Sequence, residues 1–281
     1  MSSRYGEDPF AIRDPEETAS RLERFLTTHL EEAGARCLVV GMSGGLDSSV
    51  AAALCARALG GRRVLGISLP ENETKNDRAV EDARLVASKY QIRFKLIDIT
   101  PVVQASRSAL DANTAKGIPW GNVKARLRAM VLYYLANTEH GLVVGTGDKS
   151  EIMLGYFTKF GDGACDILPL ADLYKTSLRS LARHLGIPER IRAKASSPEL
   201  WPGQTAEKEL GLSYEKLDRI LWGLERWMTP KEIADETGLK LALVKKVRER
   251  WLKSEHKRRP PLALKLGYRT AGNDLRLPRL E

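Results

Sequence analysis

One stretch limits the folds open to this chain more than any other. The apolar run Cys37-Leu-Val-Val40 passes without a break into Gly41-Met-Ser-Gly-Gly-Leu-Asp-Ser-Ser49 and then into the alanine-rich Val50-Ala-Ala-Ala53. A buried strand, a tight glycine loop and a helix in that order make a βα unit, which belongs in a parallel sheet covered by helices. Gly44 and Gly45 let backbone N–H groups approach an anion closely. Ser43, Ser48 and Ser49 add hydroxyls beside the positive end of the helix dipole. The stretch Gly41, Met42, Ser43, Gly44, Gly45, Leu46, Asp47 and Ser48 therefore reads as a cradle for pyrophosphate. A lysine-bearing Walker loop is excluded, because an acid, Asp47, stands where phosphates would lie. An acid among phosphates requires a cation, and Mg²⁺ bound by one or two carboxylates plus phosphate oxygens gives Asp47 the role of metal ligand.

The rest of the chain repeats the pattern. Runs rich in Val, Ile and Leu at 36–41, 63–69, 93–99 and 141–146 read as buried strands. Helical periodicity covers 17–32, 48–59, 76–90 and 122–137 between them. Ligands in such sheets bind at the carboxyl ends of the strands, which places Thr146 at the site. Beyond residue 146 the pattern changes. A segment rich in Gly, aromatic and charged residues (155–166) precedes a helix at 176–185, the proline-broken stretch 196–204 reads as a loop or lid, and helices follow at 213–227, 230–237 and 241–253. The reading is one domain over 1–281, with a nucleotide-binding α/β core at 36–190 and a lid and C-terminal helices at 196–261.

Net charge of +9 calls for polyanionic company without naming it. Cys37, Cys55 and Cys165 are far apart and form no metal or disulfide pattern, which suits a reducing compartment. No apolar leader is evident at the N-terminus and no run is long enough to cross a bilayer, so a cytoplasmic protein without a membrane partner is expected.

The loop resembles the SGGxDS signature of the ATP pyrophosphatases, the N-type or PP-loop family. Five further stretches, in order, are similar to ammonia-dependent NAD⁺ synthetases: Gly121-Asn-Val-Lys-Ala-Arg-Leu-Arg128, Gly145-Thr-Gly-Asp-Lys-Ser-Glu151, Gly155-Tyr-Phe-Thr-Lys-Phe-Gly-Asp-Gly163, Leu173-Tyr-Lys-Thr176 and Ser254-Glu-His-Lys-Arg-Arg-Pro-Pro261. The resemblance implies a Rossmann-like parallel α/β sheet of the adenine nucleotide alpha hydrolase type, with helices on both faces and a helical C-terminal extension. It implies amidation of deamido-NAD⁺ by ammonia through a nicotinyl-adenylate, with ATP as co-substrate, Mg²⁺, and a homodimer with the dinucleotide near its interface.

Residue by residue, it gives Asp47 and Glu151 to the metal, Lys175 to the departing pyrophosphate, and Thr146 and Ser197 to ATP. Arg126, Lys159, Asp166 and the pair His256-Lys257 go to deamido-NAD⁺. At Asp166 the usual Gly-Gly is replaced by Ala164-Cys165. A chain of this length has no room for a nitrilase-like glutaminase, which makes free ammonia the expected nitrogen donor.

Rival readings within the same loop class are a tRNA-modifying enzyme and a GMP synthetase-like amidating enzyme; the first lacks its cysteines and added basic domain here, the second its glutaminase. Residues 229–247 also have the spacing of a DNA-reading helix-turn-helix, although such pairs pack as ordinary hairpins too, and no nucleic-acid partner is expected. His29, His140 and His184 read as helix residues, and Trp222, Trp227 and Trp251 as core or interface.

Overall fold

The computed structural model describes residues 8–271 and 274–275. The first seven residues, on which much of the leader reading rests, lie outside them. The chain opens with α1 (Pro15–Glu32), capped by the Asp14 carboxylate on the Glu17 amide, and then enters β1 (Cys37–Gly41). α2 (Leu46–Leu59), β2 (Val64–Ser68), α3 (Asp77–Lys89), β3 (Arg93–Leu96), α4 (Thr100–Ala109), α5 (Gly117–Glu139) and β4 (Gly141–Val144) follow. All pairings are parallel in the order β3-β2-β1-β4, with Val39 opposite Leu65 on one side and Val143 on the other.

Alternation along the strands builds two cores. Leu38 and Val40 pack with α1 and α2, whereas Cys37, Val39, Leu65 and Ile67 face α4 and α5 through Val103, Trp120 and Leu135. The α/β sheet with helices on both faces is thus as expected. β1 ends with its apolar run at Gly41, whereas β2, β3 and β4 end one to three residues inside theirs. α4 was not anticipated, and α5 starts five residues early because Pro119 fits a helix's first turn.

After β4 come α6 (Lys149–Leu154), α7 (Lys175–His184), α8 (Glu189–Arg192), α9 (Ala206–Leu210), α10 (Tyr214–Glu225), α11 (Pro230–Thr237) and α12 (Leu241–Lys253). α6, α9, α10, α11 and α12 share a third core around Tyr214, Leu217, Leu221, Ile233, Val244 and Val247. The helix-turn-helix-like pair is α11 and α12, turning at Gly238, and its apolar face is spent on α10. Trp222 and Trp251 pack partly against this core, but Trp227 does not. It lies just past α10 with φ 60° and is 89% exposed, while Met228 turns back inward in its place. No helix among the described residues is long and apolar enough to cross a membrane.

Candidate active site

The loop between β1 and α2 is shaped by contacts that admit little variation. Gly44 has φ +75°, and a Cβ there would sit 2.0 Å from the Ala79 carbonyl oxygen, so the loop can press against α3 only without a side chain. The Ser43 amide donates to Ser48 Oγ at 3.3 Å, and the two hydroxyls are 3.1 Å apart. Ser49 departs from the expectation of a third phosphate donor. It is buried, and its hydroxyl donates back to the Gly45 carbonyl at 2.7 Å inside the loop. Leu46 is also turned inward, into the core. Gly41, Met42, Ser43, Asp47 and Ser48 line a cavity of about 370 Å³ at the carboxyl edge of the sheet.

Thr146, just past β4, lines the same cavity, as does Ser197 in the stretch between α8 and α9. Ser197 holds that stretch together, donating to the Gln204 carbonyl at 2.7 Å and accepting from the Glu199 amide. The proline-rich segment therefore forms a wall of the cavity.

The electrostatic centre is Lys175. Its place in the first turn of α7 suggests an exposed lysine, yet it is fully buried, with Nζ 2.6 Å from Asp47 Oδ1, 2.8 Å from Asp148 Oδ2 and 3.0 Å from Glu151 Oε1. Its amide donates to Ser150 Oγ at 2.9 Å, and Ser150 in turn donates to the buried carboxylate of Asp218 on α10. The C-terminal helices thereby fix the N-terminal end of α7, where Lys175 stands. Burial opposes the charge on Lys175, but the three carboxylates outweigh it and hold its pKa well above the ordinary value.

Asp148 is the site residue that sequence reasoning missed. It caps α6, accepting from the Glu151 amide at 2.8 Å, and the signal was the Asp-x-x-Glu spacing of a capping box. Burial pushes its carboxyl up to about 6 despite Lys175, with Asp47 adding repulsion; Glu151 is pushed well up by burial as well. Three acids share one ammonium, so the cluster is short of positive charge. Asp148 Oδ2 is within ion-pair distance of Lys175 but is buried without a hydrogen bond, as is the nearby Tyr214 hydroxyl. Among the described residues no three acidic, His or Cys side chains form a preformed metal cage.

Lys194 is a second unforeseen contributor. It donates to the Gly44 carbonyl at 3.0 Å and pairs with the buried Asp82 at 2.5 Å, so the chain leading to the lid grips the loop. Lys124 is fully buried, although its place beside Arg126 and Arg128 on one helix marks nothing more than a surface charge in the sequence. It pairs with Glu71 at 2.8 Å and Glu73 at 2.6 Å and donates to the lid carbonyl of Leu200 at 3.2 Å.

The residues expected to meet the dinucleotide separate into two places. The Arg126 guanidinium donates to the Lys159 carbonyl at 3.3 Å, and Lys159 donates to the His256 carbonyl at 2.8 Å. Lys257 donates to the Gly155 and Phe157 carbonyls and lines the cavity. Asp166 stands apart, on the outer edge of β4, accepting from the Val143 amide at 2.7 Å and from the Tyr133 hydroxyl at 3.1 Å.

A strand-loop-helix phosphate cradle bearing an acid, with a buried lysine facing it at the carboxyl edge of a parallel sheet, defines a PP-loop type nucleotide-binding α/β protein. Within that class, the family model "NAD synthase" matches residues 18–261, and the chain belongs to that family. It is 46% identical over 251 residues to the NH(3)-dependent NAD(+) synthetase of Hyperthermus butylicus, covering 89% of this chain and 91% of that one. It is 45% identical over 248 residues to the enzyme of the same name from Methanocaldococcus jannaschii, covering 88% and 95%. Among solved structures, the NH3-dependent NAD synthetase of Campylobacter jejuni, bound to nitrate, superposes with TM-score 0.76 at 28% identity over 90% of this chain and all of that one. An NMN synthetase from Francisella tularensis superposes with TM-score 0.79 at 33% identity, over 90% and 99%.

Proposed function

We infer that this chain makes NAD⁺ from deamido-NAD⁺ and ammonia at the expense of ATP, releasing AMP and pyrophosphate. The observation that carries the reading is Lys175, buried among Asp47, Asp148 and Glu151 at the foot of the phosphate cradle, behind a cavity that Asp47 and Glu151 line together with Lys257. The Ser43 and Ser48 region holds the outer phosphates and leaves the α phosphorus toward the cavity. The nicotinate carboxylate attacks that phosphorus, and the bond to pyrophosphate breaks. Lys175, held protonated by its carboxylates, is placed to neutralise the departing charge. Ammonia then adds to the activated carbonyl carbon, AMP leaves with the carboxylate oxygen, and the nitrogen gives up its excess proton. No side chain becomes a covalent nucleophile.

Asp47 and Glu151 would hold Mg²⁺, which supplies charge neutralisation for the phosphates when bound. The roles of Thr146 and Ser197 toward ATP, and of Arg126, Lys159, Asp166, His256 and Lys257 toward the dinucleotide, belong to the same reading. So does a homodimer. Arg126, Met130 and Tyr134 recur at four-residue spacing on the outward face of α5, where Met130 is 53% and Tyr134 68% exposed beside an equally open Phe160. A second copy covering that face would bury the stripe next to Arg126, and sedimentation velocity showing a monomer at micromolar concentration would contradict it. The free thiols of Cys37, Cys55 and Cys165 suit the cytoplasm.

The direct test supplies ATP, Mg²⁺ and ammonium with deamido-NAD⁺ or, in parallel, nicotinic acid mononucleotide. NAD⁺ and AMP in equal amounts, with the dinucleotide preferred, are expected. ADP as the nucleotide product, or preference for the mononucleotide, would reject the reading.

A further inference from the structure

α5 divides its side chains between two surroundings. Arg126 points outward, whereas Ala125, Arg128, Ala129 and Leu132 line the 370 Å³ cavity. Arg128 is the cation of that wall. Its Nε donates to the Leu69 carbonyl at 3.3 Å, just past the carboxyl end of β2, and this is the one hydrogen bond its side chain makes among the described residues. No carboxylate lies within 4 Å of it among those residues. The acids around it are otherwise engaged or set back. Glu71 is taken by Lys124 and Thr74, Asp162 by the Thr158 amide, and Glu199 stands in the lid. Withdrawal from water pulls the Arg128 guanidinium below its ordinary range, and distant carboxylates compensate only in part.

Arg128 is half-buried in the cavity wall, and a guanidinium drawn out of bulk water with one carbonyl and no carboxylate to meet it is costly to a folded protein, because its lost hydration is only partly repaid. Arginine's planar fork matches an oxyanion on two hydrogen bonds. Ser43 and Ser48 of the phosphate loop line the same cavity as Arg128, and so do Asp162 and Lys257, so both substrates of the proposed reaction would share it.

We propose that Arg128 is a substrate-binding residue that receives an oxyanion of one of the two substrates, a phosphate oxygen of ATP or an oxyanion of the dinucleotide, through its free guanidinium nitrogens. The proposal rests on the reading of the cavity as the shared ATP and deamido-NAD⁺ site. In the absence of substrate the residue therefore carries an unmet demand for negative charge, which substrate fills.

The test uses full-length Arg128→Met, which keeps an apolar stem of similar reach, and Arg128→Lys, which keeps the charge without the fork. Calorimetric Kd values for α,β-methylene-ATP and for deamido-NAD⁺ are measured separately, together with thermal unfolding of the ligand-free proteins. Arg128→Met should unfold at or above the wild-type temperature, since an uncompensated cation is gone. It should bind one of the two ligands roughly ten- to a hundredfold more weakly, the range for a hydrogen bond to a charged group. Arg128→Lys should recover part of that loss. Weakened binding of the ATP analogue assigns the oxyanion to ATP, and weakened binding of deamido-NAD⁺ assigns it to the dinucleotide. Wild-type Kd values for both ligands in Arg128→Met would overturn the proposal. So would a ligand-free variant that unfolds well below wild type, since Arg128 would then be structural. Failure of the wild-type protein to bind either ligand would instead reject the reading of the cavity itself.

Discussion

Replacing Asp148 with asparagine should stabilise the resting protein at neutral pH while slowing the enzyme. Burial, with Asp47's repulsion added, raises the carboxyl from its ordinary value of 3.8 to about 6 in the folded chain, against partial relief from Lys175. The folded state thus holds this proton more tightly than the unfolded state. Between pH 4 and pH 6 the wild type binds more protons folded than unfolded, so this group costs stability as pH rises, and the full cost is present above pH 6. A rise of that size corresponds to about 3 kcal/mol. Asparagine has no proton to lose and keeps the cap on the Glu151 amide, which its side-chain oxygen accepts as well as aspartate's does. Urea unfolding of both proteins from pH 4.5 to 8 should show a gap that is small in acid and widens toward about 3 kcal/mol in the variant's favour. A gap that does not change with pH, or a variant that falls further behind as pH rises, would refute the charge-deficit account. Turnover should fall in the same variant, because Lys175 loses one of the three anchors that aim it.

Other perturbations test separate links. Gly44→Ala must place a methyl against the Ala79 carbonyl at a positive φ; it should lower the melting temperature and raise KM for ATP, as thermal unfolding and initial rates would report. Lys124→Met leaves Glu71, only 2% exposed, without its cation and should cost about 3 to 5 kcal/mol in denaturant unfolding. Lys194→Met frees the Gly44 carbonyl and should raise KM for ATP more than it lowers kcat, since it loosens the cradle without touching Lys175. Asp47→Asn should abolish turnover while leaving the circular dichroism spectrum unchanged.

The parts of this molecule legible in the sequence are those set by local chemistry. Gly44 and Gly45 between an apolar strand and an alanine helix specify the cradle. Alternating strand and helix patterns give the parallel sheet, since buried strands and crossovers allow little else. The long α5 was read short because Gly117 and Pro119 look like loop residues until the proline is placed in the first turn. Charges were hardest to place. Lys124, Lys175 and Arg128 are indistinguishable from surface residues in one dimension, and only the folded chain shows that Glu71, Asp148 and the cavity surround them. Asp148 was hidden by its own capping role, which accounts for an aspartate at that position without any site. Trp227 misled in the opposite direction, because α10 ends two residues before it and leaves it exposed.

If a substrate carboxylate attacks the α phosphorus of ATP in front of the Asp47 and Lys175 cluster, one of its oxygens must leave with AMP. Labelling the carboxylate of deamido-NAD⁺ with ¹⁸O and following the products by mass spectrometry should show one labelled oxygen in AMP and none in pyrophosphate; label in inorganic phosphate, or AMP without label, would rule that attack out.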